Sequence, residues 1–333
     1  MRRTRALKPA ASPAPSTPAP GDDEQQRLLT RVAWMYFMEG RRQEDIAQSL
    51  KLNRMRVNRL LTAARESGIV RIEIASEARP LVELEARLRD RYGLSRAFVV
   101  PRAQTEEVTQ ASIGATLGAW LSGVLQDGMT VGTHRGQSCY SMFQGLRPAV
   151  LPDLSVVSLQ GDLTPTGQVL SQEVVARLAV TLGATCHYLA APTYAPSLAE
   201  WTLLSGLGMV RSVLERARLC DVAVFSPGAL VASDKRILKH LMTDGELAEV
   251  LALGGVGSIL GMVYDARGRE IAHALNARRI GLHPDAMARI PEVIMVGHGA
   301  HKVEIMRVAL ARGSVKTVMT DEPTAIAILA EPG

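Results

Sequence analysis

Gln43-Glu-Asp-Ile-Ala-Gln-Ser-Leu-Lys-Leu-Asn-Arg-Met-Arg-Val-Asn-Arg-Leu-Leu61 is the stretch on which the reading of this chain turns. Ile46, Ala47 and Leu50 fall on one face of a helix predicted over Gln43 to Leu50. Val57, Leu60, Leu61 and Ala64 do the same for a second helix over Arg54 to Glu66. Asn53 stands just before that second helix, where its side chain can cap the first free amides. Two short helices joined through Lys51 and Leu52, with the small Ala47 where they cross, read as a helix-turn-helix. One residue dissents. The turn position four residues after Ala47 calls for positive φ, which suits glycine. Lys51 there costs about 1 kcal/mol or forces another turn.

The outer face of the second helix carries Arg54, Arg56, Asn58, Arg59 and Thr62, and no acid occurs between Lys51 and Arg65. Such a face suits a DNA major groove, where arginine pairs with guanine O6/N7 and asparagine with adenine. Arg54, Met55, Arg56 and Asn58 are expected near base edges, beside the capping Asn53. Gln43, Lys51 and Arg59 are expected nearer phosphates. The plainer alternative is a helical hairpin whose arginines are merely solvated.

Outward from this pair, an earlier helix is predicted from Asp22 or Asp23 to Gly40, with Leu28, Val32, Met35 and Tyr36 inward. Residues 1–22, rich in proline and alanine, read as a disordered basic arm. Val70, Ile72 and Ile74 alternate like a short strand. Pro80 to Tyr92 reads as a linker helix that exposes Leu81, Leu84 and Leu88 as a stripe suited to pairing. The expected domains are therefore a head over 23–76, a linker helix over 77–93 and a larger domain over 94–333.

Charge agrees with this division. Lys and Arg outnumber Asp and Glu by 38 to 33, and all of the excess lies in the first 75 residues, the footprint of a nucleic-acid-binding segment on a near-neutral domain. With 47% hydrophobic and 21% charged residues, wholesale disorder and fibrous repeats are excluded. The charge-free run Val250 to Tyr264 is broken by glycines and is too short for a bilayer core of about 30 Å. No membrane partner is expected. The prolines of the basic N-terminus leave no apolar signal core, and Cys139, Cys186 and Cys220 suit a reducing cytoplasm better than a disulfide framework.

Beyond Gly93, strand-like runs alternate with helix-length segments. The strands are expected at Ala97–Val100, Thr130–Gly132, Ser155–Leu159, Cys186–Leu189, Val222–Phe225, Gly257–Tyr264, Val293–Val296 and Thr317–Thr320. Helices are expected at Glu107–Leu125, Ser171–Leu182, Ser205–Ala217, Lys302–Arg312 and Thr324–Leu329. This alternation implies an α/β fold with a mostly parallel sheet covered by helices.

In such a sheet, ligands sit beyond the carboxyl ends of strands, where turns bring backbone amides to an anion. Gly132-Thr-His-Arg-Gly-Gln-Ser138 is the best candidate cradle, although an ordinary turn looks much the same. Gln160-Gly161, Ser226-Pro-Gly228 and Gly255-Val-Gly-Ser258 are expected to converge on it. Lys302 opens a helix, where a cation is unfavourable unless an anion is near. His298 and His301 lack a third ligand at suitable spacing, so no metal and no cofactor are expected. Asp321 and Glu322 read as a helix cap. No Ser/His/Asp order or P-loop supports an active site, so the chain is not expected to be an enzyme.

Several of these segments occur in an order that resembles one family. They are Arg31-Val-Ala-Trp-Met-Tyr-Phe-Met-Glu-Gly40, Gln43-Glu-Asp-Ile-Ala47, Val57-Asn-Arg-Leu-Leu61 and Ala64-Arg-Glu-Ser-Gly-Ile-Val70. Downstream come Val156-Val-Ser-Leu-Gln-Gly161, Cys220-Asp-Val-Ala-Val-Phe-Ser-Pro-Gly228, Gly255-Val-Gly-Ser-Ile-Leu-Gly261, Asp265-Ala-Arg-Gly268, Arg279-Ile-Gly281, Ile290-Pro-Glu-Val-Ile294 and Thr320-Asp-Glu-Pro-Thr-Ala325. Over residues 27–329 the chain resembles the SorC family of sugar-responsive bacterial transcriptional regulators.

The resemblance implies a winged helix-turn-helix joined to a Rossmann-like domain similar to phosphosugar isomerases and deaminases. It implies a sugar, polyol or sugar-phosphate inducer, double-stranded operator DNA, and self-association as a dimer or tetramer. It carries Gly136, Gln137, Ser138 and Lys302 over as inducer contacts, with Gly132, Thr133, His134 and Arg135 beside them and Gln160, Gly161, Ser226, Gly228, Gly257 and Ser258 opposite. The chain departs from the family at Ser226-Pro227, at Ser258, where an acid is frequent, and at Arg135 and Gln137, where tryptophan and arginine are usual. The alternative is a sugar-phosphate isomerase or deaminase with a nucleic-acid-binding appendage.

Overall fold

The computed structural model describes residues 20–70, 79–164, 173–230 and 241–330. They fall into two units, one within residues 11–77 and the other within 78–333. The smaller unit is built from α1 (Pro20–Phe37), α2 (Gln43–Ser49) and α3 (Arg54–Glu66). Val32 and Met35 of α1 pack with Ile46, Ala47, Val57 and Leu61, and Leu29 and Ala33 close on Ala64. Tyr36, expected inward, is instead exposed. The buried stripe of α1 steps through Leu29, Val32 and Ala33 to Phe37, so Tyr36 falls on its edge.

Lys51 keeps the left-handed turn, with φ of 53°. Leu52 N donates to Ala47 O at 2.8 Å across it. The glycine-type turn therefore forms without glycine, at the cost expected for an L-residue. The strand expected at Val70–Ile74 lies almost wholly outside the described residues, and with it the wing.

Among the described residues, the larger unit contributes ten strands. β1 (Arg96–Val100), β2 (Thr130–Thr133), β3 (Ser155–Ser158), β4 (Thr185–His187) and β5 (Val222–Phe225) come first. β6 (Gly228–Ala229), β7 (Gly255–Ile259), β8 (Met262–Asp265), β9 (Glu292–Val296) and β10 (Thr317–Asp321) follow. Its helices are α4 (Arg79–Tyr92), α5 (Glu106–Val124), α6 (Gln137–Tyr140), α7 (Val175–Leu182), α8 (Leu198–Gly206), α9 (Gly208–Ala217), α10 (Asp244–Ala252), α11 (Ala274–Ala277), α12 (Val303–Ala311) and α13 (Glu322–Leu329).

Seven strands form one sheet in the order β1-β10-β9-β5-β2-β3-β4, every pairing parallel. Central strands β5, β9 and β10 are buried along their whole length, as a sheet covered on both faces requires. Alternate residues serve opposite layers. Ala223, Phe225, Val293 and Met295 face one core, while Val222, Val224, Ile294 and Val296 face the other.

Three expectations are corrected. Leu84 and Leu88 of α4 are buried in the larger unit's own core with Ala97 and Val99 of β1, so the leucine stripe is not exposed for pairing. The helix expected over Ser205–Ala217 is two helices, α8 and α9, because Leu207 between them is extended at φ −63° and ψ 132°. The single strand expected over Gly257–Tyr264 is an antiparallel hairpin, β7 and β8, which with β6 makes a second, three-stranded sheet.

Its two-residue turn is Leu260-Gly261, both left-handed at φ 48° and 79°. Such turns favour Asn-Gly. A leucine in the first position hid the turn from the sequence.

Lys51→Gly should relieve the left-handed strain while adding unfolded-chain entropy, for a net gain of about 0.5 kcal/mol in the smaller unit. Amide hydrogen exchange at Leu52, protected roughly twofold more than in the parent chain, would report it. Unchanged or faster exchange would refute the strain.

Candidate functional site

Strand order reverses at β2. The chain runs outward from β2 through β3 to β4, then returns to place β5 on the other side. Loops leaving β2 and β5 therefore diverge and open a crevice beyond the carboxyl ends. A cavity of about 240 Å³ lies there. His134, Arg135, Gly136, Gln137 and Ser138 line it from the β2 exit, Gln160 from the β3 exit, and Ser226 and Gly228 from the β5 exit. Ser258 faces it from β7, and Lys302 from the segment after β9.

Four expected residues are not on the wall. Thr133 is buried at the end of β2. Gly132, Gly161 and Gly257 lie where a Cβ would strike Leu159, the Pro192 carbonyl and Ile305, so these glycines permit close packing rather than ligand approach. The cavity also takes in Glu106, Gln110, Thr193, Tyr194, Leu260, Gly261, His298 and His301, which the sequence reading had not assigned to it. Thr193 and Tyr194 come from an irregular segment, and Leu260 and Gly261 from the hidden turn. The histidines, and Leu260 with Gly261, stood in segments already singled out.

Lys302 is the N-cap residue of α12. Gly299, at φ 94°, turns the chain towards it, and Gly299 N donates to Thr324 Oγ1 at 2.8 Å. Lys302 Nζ donates to Ser226 Oγ at 3.0 Å and to Ser138 Oγ at 3.4 Å, drawing the exits of β5 and β2 together. Hydroxyls and an ammonium at a helix start form a setting that favours an anionic group.

Ser226 N donates to His134 Nε2 at 3.2 Å. Burial, with Arg135 and Lys302 nearby, pushes the imidazole down to about 3, so it is neutral and its proton sits on Nδ1. Arg135 N donates to Asp162 Oδ2 at 3.2 Å, and the Arg135 guanidinium Nε lies 3.8 Å from Asp162 Oδ1. Burial pushes the Asp162 carboxyl up to about 7, against the pull of Arg135.

Other family-like segments are structural. Arg279 donates to the carbonyls of Leu260, Gly281 and Leu282, and Glu292 accepts from Thr317 Oγ1 at 2.6 Å and Arg96 at 3.0 Å. Asp221 Oδ2 accepts from Thr130 N at 2.8 Å. Asp321 occupies the N-cap position of α13, but its side chain makes no cap hydrogen bond, contrary to expectation.

In the smaller unit, Arg54, Met55, Arg56, Asn58 and Arg59 are exposed on α3, Lys51 is exposed in the turn, and Gln43 is half-buried at the start of α2. Asn53 Oδ1 accepts from Arg56 N at 2.8 Å, so that oxygen serves the cap and is not free for a base. Arg54 pairs with Glu44 at 3.2 Å, an exposed bridge of little strength.

Residues 76–330 match the sugar-binding domain family. The transcriptional regulator LsrR of Klebsiella pneumoniae is 31% identical over 313 residues, covering 92% of this chain and 94% of the relative. The erythritol catabolism regulatory protein EryD of Brucella abortus is 27% identical, over 93% of this chain and 98% of its own. In structure, the full-length sorbitol operon regulator SorC from Klebsiella pneumoniae aligns with a TM-score of 0.68 at 22% identity, covering 92% of this chain and 100% of that one. The chain belongs to the SorC family of sugar-binding transcriptional regulators.

Proposed function

We propose that this chain binds operator DNA through α3 and that a sugar, polyol or sugar phosphate in the cavity changes its grip. The observation that carries the reading is the conjunction, in one chain, of an acid-free basic helix face and a polar cavity whose ammonium group bridges two strand-exit loops. Arg56 and Asn58 are exposed and project from the first turns of α3, the part of a recognition helix that meets base edges. Lys51 and Arg59 flank them for phosphates. A single short helix reads few bases, so the operator is a two-fold site and the protein binds it as a dimer or a pair of dimers.

Control requires only that the inducer bind two arrangements of the protein with different affinity. A coupling of about 1–3 kcal/mol alters operator occupancy severalfold to over a hundredfold.

The test is binding to promoter DNA from the chain's own operon, with and without a panel of sugars, polyols and their phosphates. Arg56→Ala should cost about 1–3 kcal/mol on the operator and relax specificity at one base. Lys51→Ala should weaken all sequences alike and reduce the salt slope by about one. Equal losses on operator and random DNA for Arg56→Ala would remove it from base reading.

Lys302→Ala should leave uninduced DNA binding intact while raising the concentration of phosphorylated inducer needed for response by at least about tenfold. A full response at the parent concentration would remove Lys302 from the site.

A further inference from the structure

Met55 is the second residue of α3, and it is 68% exposed. Single apolar side chains on a surface are common, so its position and its company decide what it does. Val57, fully buried, fixes the inward direction of α3. At 3.6 residues per turn, Met55 and Arg59 each stand about 200° around the helix from Val57, on its outermost line. Arg56 and Asn58 stand about 100° from Val57, one on either side. The centre of the exposed face in the first turn is thus a thioether, with a guanidinium and an amide on its flanks.

Several polar groups near it are turned elsewhere. Asn53 Oδ1 accepts from Arg56 N at 2.8 Å, Arg54 reaches back to Glu44 of α2 at 3.2 Å, and Thr62 Oγ1 donates to Asn58 O at 3.1 Å. No acid lies between Lys51 and Arg65, so the face as a whole complements a polyanion. Met55 adds nothing to that attraction. A thioether is only a weak acceptor, so its favourable counterpart on DNA is an apolar group.

Among the groups that base pairs present in a major groove, one is apolar: the C5 methyl of thymine. We propose that Met55 reads a thymine in each operator half-site by packing against that methyl group. The assignment rests on the reading that α3 enters the major groove, and it names a base that the arginines of the face do not select. Met55 discriminates in two ways. Against thymine it removes a methyl group from water, at roughly the worth of one buried CH₂. Set over the amino group of adenine or cytosine, it would bury a donor without a partner. Unbranched and flexible, a methionine side chain adapts to the methyl group it covers.

The test is binding of the full chain to the operator of its own promoter, located by footprinting. Each thymine is replaced in turn by deoxyuridine, in both half-sites together. That exchange removes the methyl group and keeps every hydrogen bond of the base pair. At one symmetric pair of thymines the parent chain should lose about fifteenfold in affinity, or about fourfold per half-site. Met55→Ala should lose a similar factor on the unmodified operator and nothing further on the deoxyuridine one. Met55→Leu keeps an apolar tip and should keep most of the discrimination.

Three results overturn the assignment while leaving sequence-specific binding by α3 intact: no exchange weakens the parent chain, the same exchange weakens Met55→Ala as much, or Met55→Ala loses equally on operator and random DNA. Should the parent chain bind its operator no better than random DNA, the α3 reading itself falls and the thymine assignment with it. The deoxyuridine series uses the unaltered chain, so it decides the matter even if a variant folds poorly.

Discussion

A single ammonium group organises the cavity. Lys302 belongs to the start of α12, yet its Nζ donates to hydroxyls on the loops leaving β2 and β5. Three strand exits are thereby tied at one point, where the order of a parallel sheet reverses. A cation at a helix start opposes the helix dipole, and partial burial adds a desolvation cost. On the proposed reading, an anionic group of a ligand would relieve both at once. An attraction for such a group would then follow from placing a lysine where the dipole disfavours it. Gly299 and the Thr324 hydroxyl supply the turn that puts it there.

Beside Lys302, the other cation of the cavity, Arg135, has the Asp162 carboxylate nearby, and the His134 imidazole is neutral because burial forbids its charge. The Ser226 amide donates to that imidazole, so the exits of β2 and β5 are joined twice, once through Lys302 and once through His134.

Much of this was legible beforehand because it rests on local rules. The trihelical head follows from apolar spacing, a capping asparagine and a run without acids. The parallel sheet follows from strand and helix in alternation. The cradle loop and Lys302 follow from where open sheets bind ligands. What escaped reading depended on tertiary context. Leu84 and Leu88 looked like a pairing stripe because sequence spacing shows that a face is apolar without showing what covers it, and the covering is the chain's own β1. Gly132, Gly161 and Gly257, read as turns at strand exits, suggested a ligand, but they accommodate Leu159, the Pro192 carbonyl and Ile305. Asp162 carries no motif of its own, and its place behind Arg135 follows only from the register of β2 against β3.

The hidden turn shows why such features cluster at this cavity. Leu260 stands in a left-handed conformation that costs an L-residue about 1–2 kcal/mol, and nothing local requires it. Arg279 Nη1 donates to the Leu260 carbonyl at 3.0 Å, and the buried Tyr194 hydroxyl donates to the Gly261 carbonyl at 2.5 Å. The Leu260 side chain is itself buried in the main core, so relaxing the backbone would sacrifice packing as well as both hydrogen bonds. Strain of this kind persists only where its surroundings over-determine it, and such places concentrate at binding sites. Leu260, Gly261 and Tyr194 all face the cavity. The hairpin is thus a wall whose shape is imposed from outside its own sequence.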